Sequence, residues 1–216
     1  MSETFYGYNI SEQHKCFLWG PIKTGTMHSE FIFTHYDFHY EESNYGRTLT
    51  KNYQDFPKHN HDCMLFEGHE EYKLILTVRN PYRRILSEYY HEMSFRKQPI
   101  ESLVSPNNFE DFVNTRYPIS PSQFNNGFLL SVRMPDYSLR SENLYEDYLK
   151  IPFIKESKLY SSGILKDLCN KKIHERKIKL SSEGYFNQRI ADLIYYNMVN
   201  YFESFNYHKD SWKEIT

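Results

Sequence analysis

Two segments of the chain place cations and hydroxyl groups directly after a run of apolar residues. The first, residues 16–27, carries Lys23, and the second, residues 74–90, carries Arg79 and, eight residues later, Ser87. Each pattern predicts a buried strand that enters a helix through an anion-binding turn, because helix N-terminal N–H groups and nearby cations favour phosphate. Two such turns in one chain suggest a ligand with phosphate groups at both ends.

The first turn has the residue types of a phosphate-binding loop. Glycines, among them Gly25, permit a tight turn after the apolar run, and the apolar spacing that follows predicts a helix from Met27 to Tyr36. The N–H groups at the start of that helix would bind an anion. Lys23 adds a mobile cation, and Thr24 and Thr26 add hydroxyl donors.

A metal-dependent kinase is the first alternative for this loop. The P-loop of nucleotide triphosphatases requires glycines where this chain has Phe17 and Ile22. No apolar strand ends in the Asp that would hold magnesium, since the run 74–78 ends in Arg79. The His-rich stretch 59–63 lacks a second pair of ligands at metal-binding spacing. We therefore expect no metal and no magnesium-dependent kinase chemistry.

The second turn is the more specific of the two. Leu74–Val78 predicts a buried strand, Asn80 is a suitable cap for the next helix, and Pro81 suits its first position. Arg79 at the strand end and Ser87 two turns into the helix can converge on one phosphate through a guanidinium fork and a hydroxyl.

Together these motifs resemble those of the sulfotransferases that use 3′-phosphoadenosine 5′-phosphosulfate (PAPS). Residues 21–26 are similar to that family's 5′-phosphosulfate loop, and residues 79–90 to its 3′-phosphate motif. Weaker similarities occur at 140–147 and 201–207. The resemblance implies an α/β fold with a single domain over residues 1–216. That fold would be P-loop-like, with a central, mostly parallel sheet flanked by helices.

The resemblance also implies a role for each phosphate-binding residue. Lys23 would be the catalytic cation that stabilises the leaving phosphate, and Arg79 and Ser87 would hold the 3′-phosphate. The residues implied to bind the 5′-phosphate are Lys23, Thr24, Gly25, Thr26 and Met27. PAPS would be the co-substrate. A second alternative is a non-catalytic relative that binds an anionic nucleotide or glycan without turnover.

The general base is implied by a third segment. An apolar run over 64–66 is followed by Glu67, Gly68 and His69. This segment resembles carbohydrate sulfotransferases of the heparan 2-O type, which have a Gly-His at the same place. His69 is therefore the expected base, since imidazole has a suitable pKa. Glu67 and Glu70 are its rivals. The expected acceptor is a glycan or a small hydroxyl compound.

The composition limits the partners and the compartment. The chain has 26 Lys and Arg against 28 Asp and Glu, a net charge of −2, and therefore no overall positive field for nucleic acid. Its longest apolar runs are far shorter than a membrane span. The chain shows no signal-peptide pattern, and its three cysteines cannot all pair. We expect a cytoplasmic protein that binds neither nucleic acid nor membrane.

The rest of the chain predicts strands alternating with helices, and hence a mostly parallel sheet with its ligand at the carboxyl ends of the strands. Residues 37–62 are polar and without period, which predicts a surface excursion. The other predicted elements are strands over 64–66 and 137–140 and helices over 81–95, 109–115, 123–132, 161–169 and 185–201.

Overall fold

The structure is a computed structural model that describes residues 7–19, 25–42, 71–94, 104–116, 134–171 and 184–215. Its strands are β1 (Gly7–Ser11), β2 (Cys16–Trp19), β3 (His39–Glu42), β4 (Lys73–Val78) and β5 (Tyr137–Arg140). Its α-helices are α1 (Thr26–Phe33), α2 (Pro81–Ser94), α3 (Pro106–Arg116), α4 (Leu144–Tyr148), α5 (Pro152–Lys155), α6 (Lys158–Ser161), α7 (Ile164–Asn170), α8 (Gln188–Asn197) and α9 (Val199–Ser204). Short 3-10 helices cover Thr34–Tyr36 and Ser211–Glu214.

The five strands form one sheet in the order β3-β1-β2-β4-β5. β2, β4 and β5 are parallel neighbours, whereas β1 pairs antiparallel with both β2 and β3. Because β3 is antiparallel to β1, it runs in the same direction as β2, β4 and β5. Among the described strands, β1 alone runs the other way. The expected α/β class with a mostly parallel sheet is confirmed, and the P-loop-like sulfotransferase form of that fold stays a prediction.

The two central parallel strands, β2 and β4, form continuous buried runs. β4 is buried from Leu74 to Val78, and only Lys73 at its start is exposed. Cys16, Phe17 and Leu18 of β2 are likewise buried. Such continuous apolar runs are typical of parallel strands covered on both faces, which is why the sequence predicts these two strands well.

The chain folds into two compact units. The first unit comprises Met1–Val78 and Phe128–Ile173, so it contains the sheet, α1 and α4–α7. Its core is aromatic: the ring of Phe33 on α1 lies 4.6 Å from that of Phe38 and 5.5 Å from that of Tyr148. This packing joins α1, which follows β2, to α4, which follows β5.

The second unit comprises Arg79–Gly127 and His174–Thr216, and its described helices are α2, α3, α8 and α9. Its core lies along one face of α2, where Tyr89 packs 5.3 Å from Phe109 and Tyr82 packs 5.2 Å from Phe202. Ile190 of α8 is buried in the same cluster. The expectation of one domain over 1–216 stays a prediction.

Some of the predicted helices and strands agree with the structure and others do not. The strand over 137–140 is confirmed, and the helices over 81–95 and 109–115 are found within a few residues of their predicted bounds. The surface excursion over 37–62 is wrong at its start, because His39–Glu42 forms edge strand β3. The strand over 64–66 and the helix over 123–132 lie outside the described residues.

Two predicted helices have different bounds in the structure. The prediction of a single helix over 185–201 is wrong. Helix α8 ends at Asn197, and a break at Met198, whose φ is −129°, separates it from α9. The helix over 161–169 begins later, at Ile164, after Gly163 in a left-handed conformation. None of the described helices combines the length and the apolar character that crossing a membrane requires.

Candidate functional site

The carboxyl ends of the three parallel strands meet at one edge of the sheet. Trp19 of β2 is opposite Leu76 of β4, and Val78 of β4 is opposite Arg140, the last residue of β5. The next residue continues the ladder, since the Ser141 N–H donates to the Val78 carbonyl at 2.9 Å. Both predicted anion-binding turns therefore follow strands that end at this edge.

The start of α1 is the described part of the first turn. Gly25 precedes the helix with φ +90°, a conformation that L side chains rarely adopt. Its carbonyl accepts the N–H groups of His28 and Ser29. Among the described residues no side chain caps this helix, and its first turn has no acidic residue. Such an N-terminus favours an anion.

The first turn reaches the residue after β5. A Cβ built on Gly25 would lie 3.6 Å from the Cβ of Ser141. The beginnings of α1 and of the β5–α4 connection are therefore neighbours within the first unit. Thr26 and Met27 are the first two residues of α1. Lys23 and Thr24 lie outside the described residues.

The second turn is built by Arg79 and Asn80, and we call it the β4–α2 turn. The Asn80 side-chain oxygen accepts the N–H of Tyr82 at 3.0 Å and that of Arg83 at 3.4 Å, and Pro81 is the first residue of α2. The predicted cap and first helical position are confirmed. Arg79 is partly exposed.

The arginines of α2 have protein partners. Arg84 forms a 2.9 Å ion pair with Glu88, one turn further along the helix. Arg83 donates to the backbone carbonyl of Glu214 at 3.3 Å. Ser87 lies one turn beyond both arginines, at i+4 and i+3, and is 8% exposed. Its hydroxyl therefore belongs to the arginine-bearing face of the helix.

Residues from the C-terminal region hold the β4–α2 turn, which sequence reasoning missed. The Tyr201 hydroxyl accepts the Arg79 N–H at 3.1 Å and donates to the Arg79 carbonyl at 3.3 Å. The Asn80 side-chain amide donates to the Ser211 hydroxyl at 2.8 Å. These partners are 122 and 131 residues away in sequence, so no local spacing could have indicated them.

The arginine that precedes the β5–α4 turn, Ser141–Asn143, is bound by a residue of the following helix. The carboxylate of Asp147 accepts the Arg140 backbone N–H and the Arg140 guanidinium, each at 2.9 Å, with a second guanidinium bond at 2.8 Å. Lys150 adds a 2.6 Å ion pair. Burial alone would raise the pKa of Asp147, but these hydrogen bonds outweigh it and hold the pKa below its usual range. The ion pairs of Asp147 thus hold together Arg140, at the end of β5, and Lys150, just after α4.

The two described thiols are unsuited to nucleophilic chemistry. Burial raises the pKa of Cys16 to about 11 and that of Cys169 to about 12, so both are protonated at neutral pH. Within the described ranges, no group of three His, Cys, Asp or Glu side chains could hold a metal ion.

The expected base lies outside what the structure describes. Glu67, His69 and the rival Glu70 all fall between residues 43 and 70, and their assignment stays a prediction. Comparison of the chain with protein-family models, with curated proteins and with solved structures found no match.

Proposed function

We propose that the chain is a PAPS-dependent sulfotransferase that transfers a sulfuryl group to a hydroxyl group of a carbohydrate acceptor. The observation that carries the proposal is the parallel pairing of β2 with β4, the two strands that precede the two motifs. Ligands of α/β sheets bind outside the carboxyl ends of the strands. A nucleotide with phosphates at its 3′ and 5′ positions matches two anion-binding turns.

In this proposal each turn binds one end of the nucleotide. In this proposal the β2–α1 turn binds the 5′-phosphosulfate through Lys23, Thr24 and the start of α1. The left-handed Gly25 and the absence of an acidic residue from the first turn of α1 are compatible with an anion there. Arg79 and Ser87 bind the 3′-phosphate. Arg79 follows a buried strand directly, which limits the backbone positions it can adopt.

The transfer makes one bond and breaks one. PAPS supplies a sulfuryl group joined to the 5′-phosphate through a bridging oxygen. His69 accepts the proton of the acceptor hydroxyl as its oxygen bonds to sulfur, with Glu67 and Glu70 as alternatives. Lys23 neutralises the charge that develops on the 5′-phosphate as the bond from sulfur to the bridging oxygen breaks. The products are a sulfate ester and adenosine 3′,5′-bisphosphate. Positioning and charge neutralisation dominate such a loose transition state.

The binding test compares Arg79→Ala with a matched arginine variant. Arg189 is an exposed arginine of the second unit that pairs with Glu110. We expect Arg79→Ala to weaken binding of adenosine 3′,5′-bisphosphate about 10- to 150-fold, the range for hydrogen bonds to a charged group. Arg189→Ala removes the same charge and should leave the affinity unchanged. Equal affinities for the two variants would contradict the role of Arg79.

The turnover test uses Lys23→Ala. Transfer of radiolabelled sulfate from PAPS is measured against a panel of glycans, small alcohols and peptides. Loss of a stabilising cation should lower the rate of transfer about 100- to 1000-fold while nucleotide binding is mostly retained. Binding without transfer to any acceptor by the unaltered chain would favour the non-catalytic alternative. Binding of ATP with magnesium, with no affinity for the bisphosphate, would favour the kinase alternative.

A further inference from the structure

The hydroxyl of Tyr201 is bonded to both backbone polar groups of a single residue, Arg79. Tyr201 is 3% exposed, and its ring packs 4.8 Å from that of Phe205 and 6.2 Å from that of Tyr207. The ring is therefore held by aromatic neighbours and the hydroxyl by the backbone of Arg79. Replacing Tyr201 by Phe would remove the hydrogen bonds of the hydroxyl and keep the packing of the ring.

Three further contacts join the same part of the chain to the β4–α2 turn and its helix. Asn80 donates to the Ser211 hydroxyl. The Tyr82 hydroxyl donates to the Lys209 carbonyl at 2.6 Å, and Arg83 donates to a backbone carbonyl near the C-terminus. The C-terminal segment, Tyr201–Glu214, thus bonds to four of the five positions from 79 to 83.

This arrangement fixes the point from which the Arg79 side chain extends. A guanidinium recognises phosphate through a rigid fork, so its hydrogen bonds depend on the direction of the side chain. That direction is set by the backbone of Arg79, whose N–H and carbonyl the Tyr201 hydroxyl engages together. A residue held before the ligand arrives loses less conformational freedom on binding.

We propose that Tyr201 is a positioning residue for the 3′-phosphate of the nucleotide, acting through the backbone of Arg79. This inference rests on the proposed function, in which Arg79 binds that phosphate. The hydroxyl does not touch the ligand. It strengthens the preference of the site for a nucleotide with a 3′-phosphate over one without it.

The test measures two nucleotides that differ only in that phosphate, adenosine 3′,5′-bisphosphate and adenosine 5′-phosphate. Tyr201→Phe should weaken binding of the bisphosphate about 2- to 10-fold, the range of one neutral hydrogen bond. Binding of the monophosphate should not change. A merely structural role would weaken both nucleotides equally, because a loosened fold does not distinguish them.

Tyr89 provides a matched control in the same unit. Its hydroxyl accepts the Ser105 N–H at 3.2 Å and donates to the Ser105 carbonyl at 3.4 Å, and its side chain is fully buried. Tyr89→Phe therefore removes the same pair of bonds from a different backbone. It should lower stability to a similar extent and leave both nucleotide affinities unchanged.

A double-mutant cycle separates the two proposals. In an Arg79→Ala background, Tyr201→Phe should have no further effect on bisphosphate binding, since the group it positions is gone. If Arg79→Ala itself leaves binding unchanged, the proposed function of this turn is overturned. If Arg79→Ala weakens binding but Tyr201→Phe does not, or weakens both nucleotides equally, only the positioning role is overturned.

A second variant covers the case in which Tyr201→Phe does not fold. Ser211→Ala removes the bond to Asn80, the neighbour of Arg79. It should produce a smaller loss confined to the bisphosphate. An equal loss for both nucleotides, or no loss, would contradict the proposal that the C-terminal segment positions this turn.

Discussion

The β4–α2 turn and the β5–α4 turn each carry an arginine at the end of a parallel strand, but they are held differently. Arg140 is bound by Asp147, seven residues later, through its backbone and its side chain. Arg79 is bound through its backbone by Tyr201, 122 residues later. The arginine of the β5–α4 turn is bound by a neighbouring residue, although Ser141 of this turn also donates to Val78 of β4, whereas the arginine of the β4–α2 turn is bound by a distant segment. Substitutions far away in the chain should therefore alter the β4–α2 turn more than the β5–α4 turn.

The largest expected change in stability concerns the β5–α4 turn. Asp147→Asn should lower the free energy of unfolding by about 1.5–3 kcal/mol, the range for hydrogen bonds to charged groups, because an amide would present donors to Arg140 and Lys150. Urea denaturation measures this loss. Glu146→Gln, at the exposed neighbouring position, is the control and should change stability little. Similar losses for the two variants would show that the ion pairs of Asp147 do not stabilise this turn.

A second prediction concerns how much the C-terminal segment adds to the free energy of unfolding. Asn80 and Asn187 both cap helices through their side-chain oxygens, at 3.0 Å and 2.9 Å. Asn80 also donates to the buried Ser211, 131 residues away. Replacing either cap by Ala should cost about 1 kcal/mol. Asn80→Ala should cost about 1 kcal/mol more than Asn187→Ala because it also loses the second bond. Equal losses in denaturant titrations would mean that the long-range bond adds no stability.

The smallest expected effect is an acid dependence of the local turn. The pKa of Asp147 is depressed in the folded chain, so its carboxylate stabilises the fold above the ordinary aspartate pKa of about 3.9. That contribution is lost as the pH falls through the depressed value. Unfolding measured between pH 7 and pH 3 should therefore show a shallower acid-side decline for Asp147→Asn than for the unaltered chain. Parallel curves would contradict the ion-pair account.

The same difference between local and distant contacts explains what the sequence could predict. β2 and β4 were predictable because buried parallel strands are apolar throughout. The Asn80 cap was predictable because a cap depends on residues two and three positions away. Strands β1 and β3 were missed because neither Gly7–Ser11 nor His39–Glu42 is a continuous apolar run, and their pairing with each other joins distant segments. The break at Met198 has no Gly or Pro to mark it.

The candidate site divides in the same way. Arg79, Ser87 and Gly25 could be chosen from local motifs, because strand ends, helix starts and their spacing are local properties. Tyr201 entered the sequence analysis only as the last residue of the predicted helix over 185–201 and the first residue of the weak similarity at 201–207. Its bond to Arg79 depends on how the second unit folds, and nothing in residues 79–90 indicates it.

The most direct measurement is a calorimetric titration of the unaltered chain with adenosine 3′,5′-bisphosphate in the absence of metal, followed by ATP with magnesium. The account predicts saturable binding of one bisphosphate per chain and weaker or no binding of ATP. Heat with ATP and magnesium, together with no heat from the bisphosphate, would contradict it.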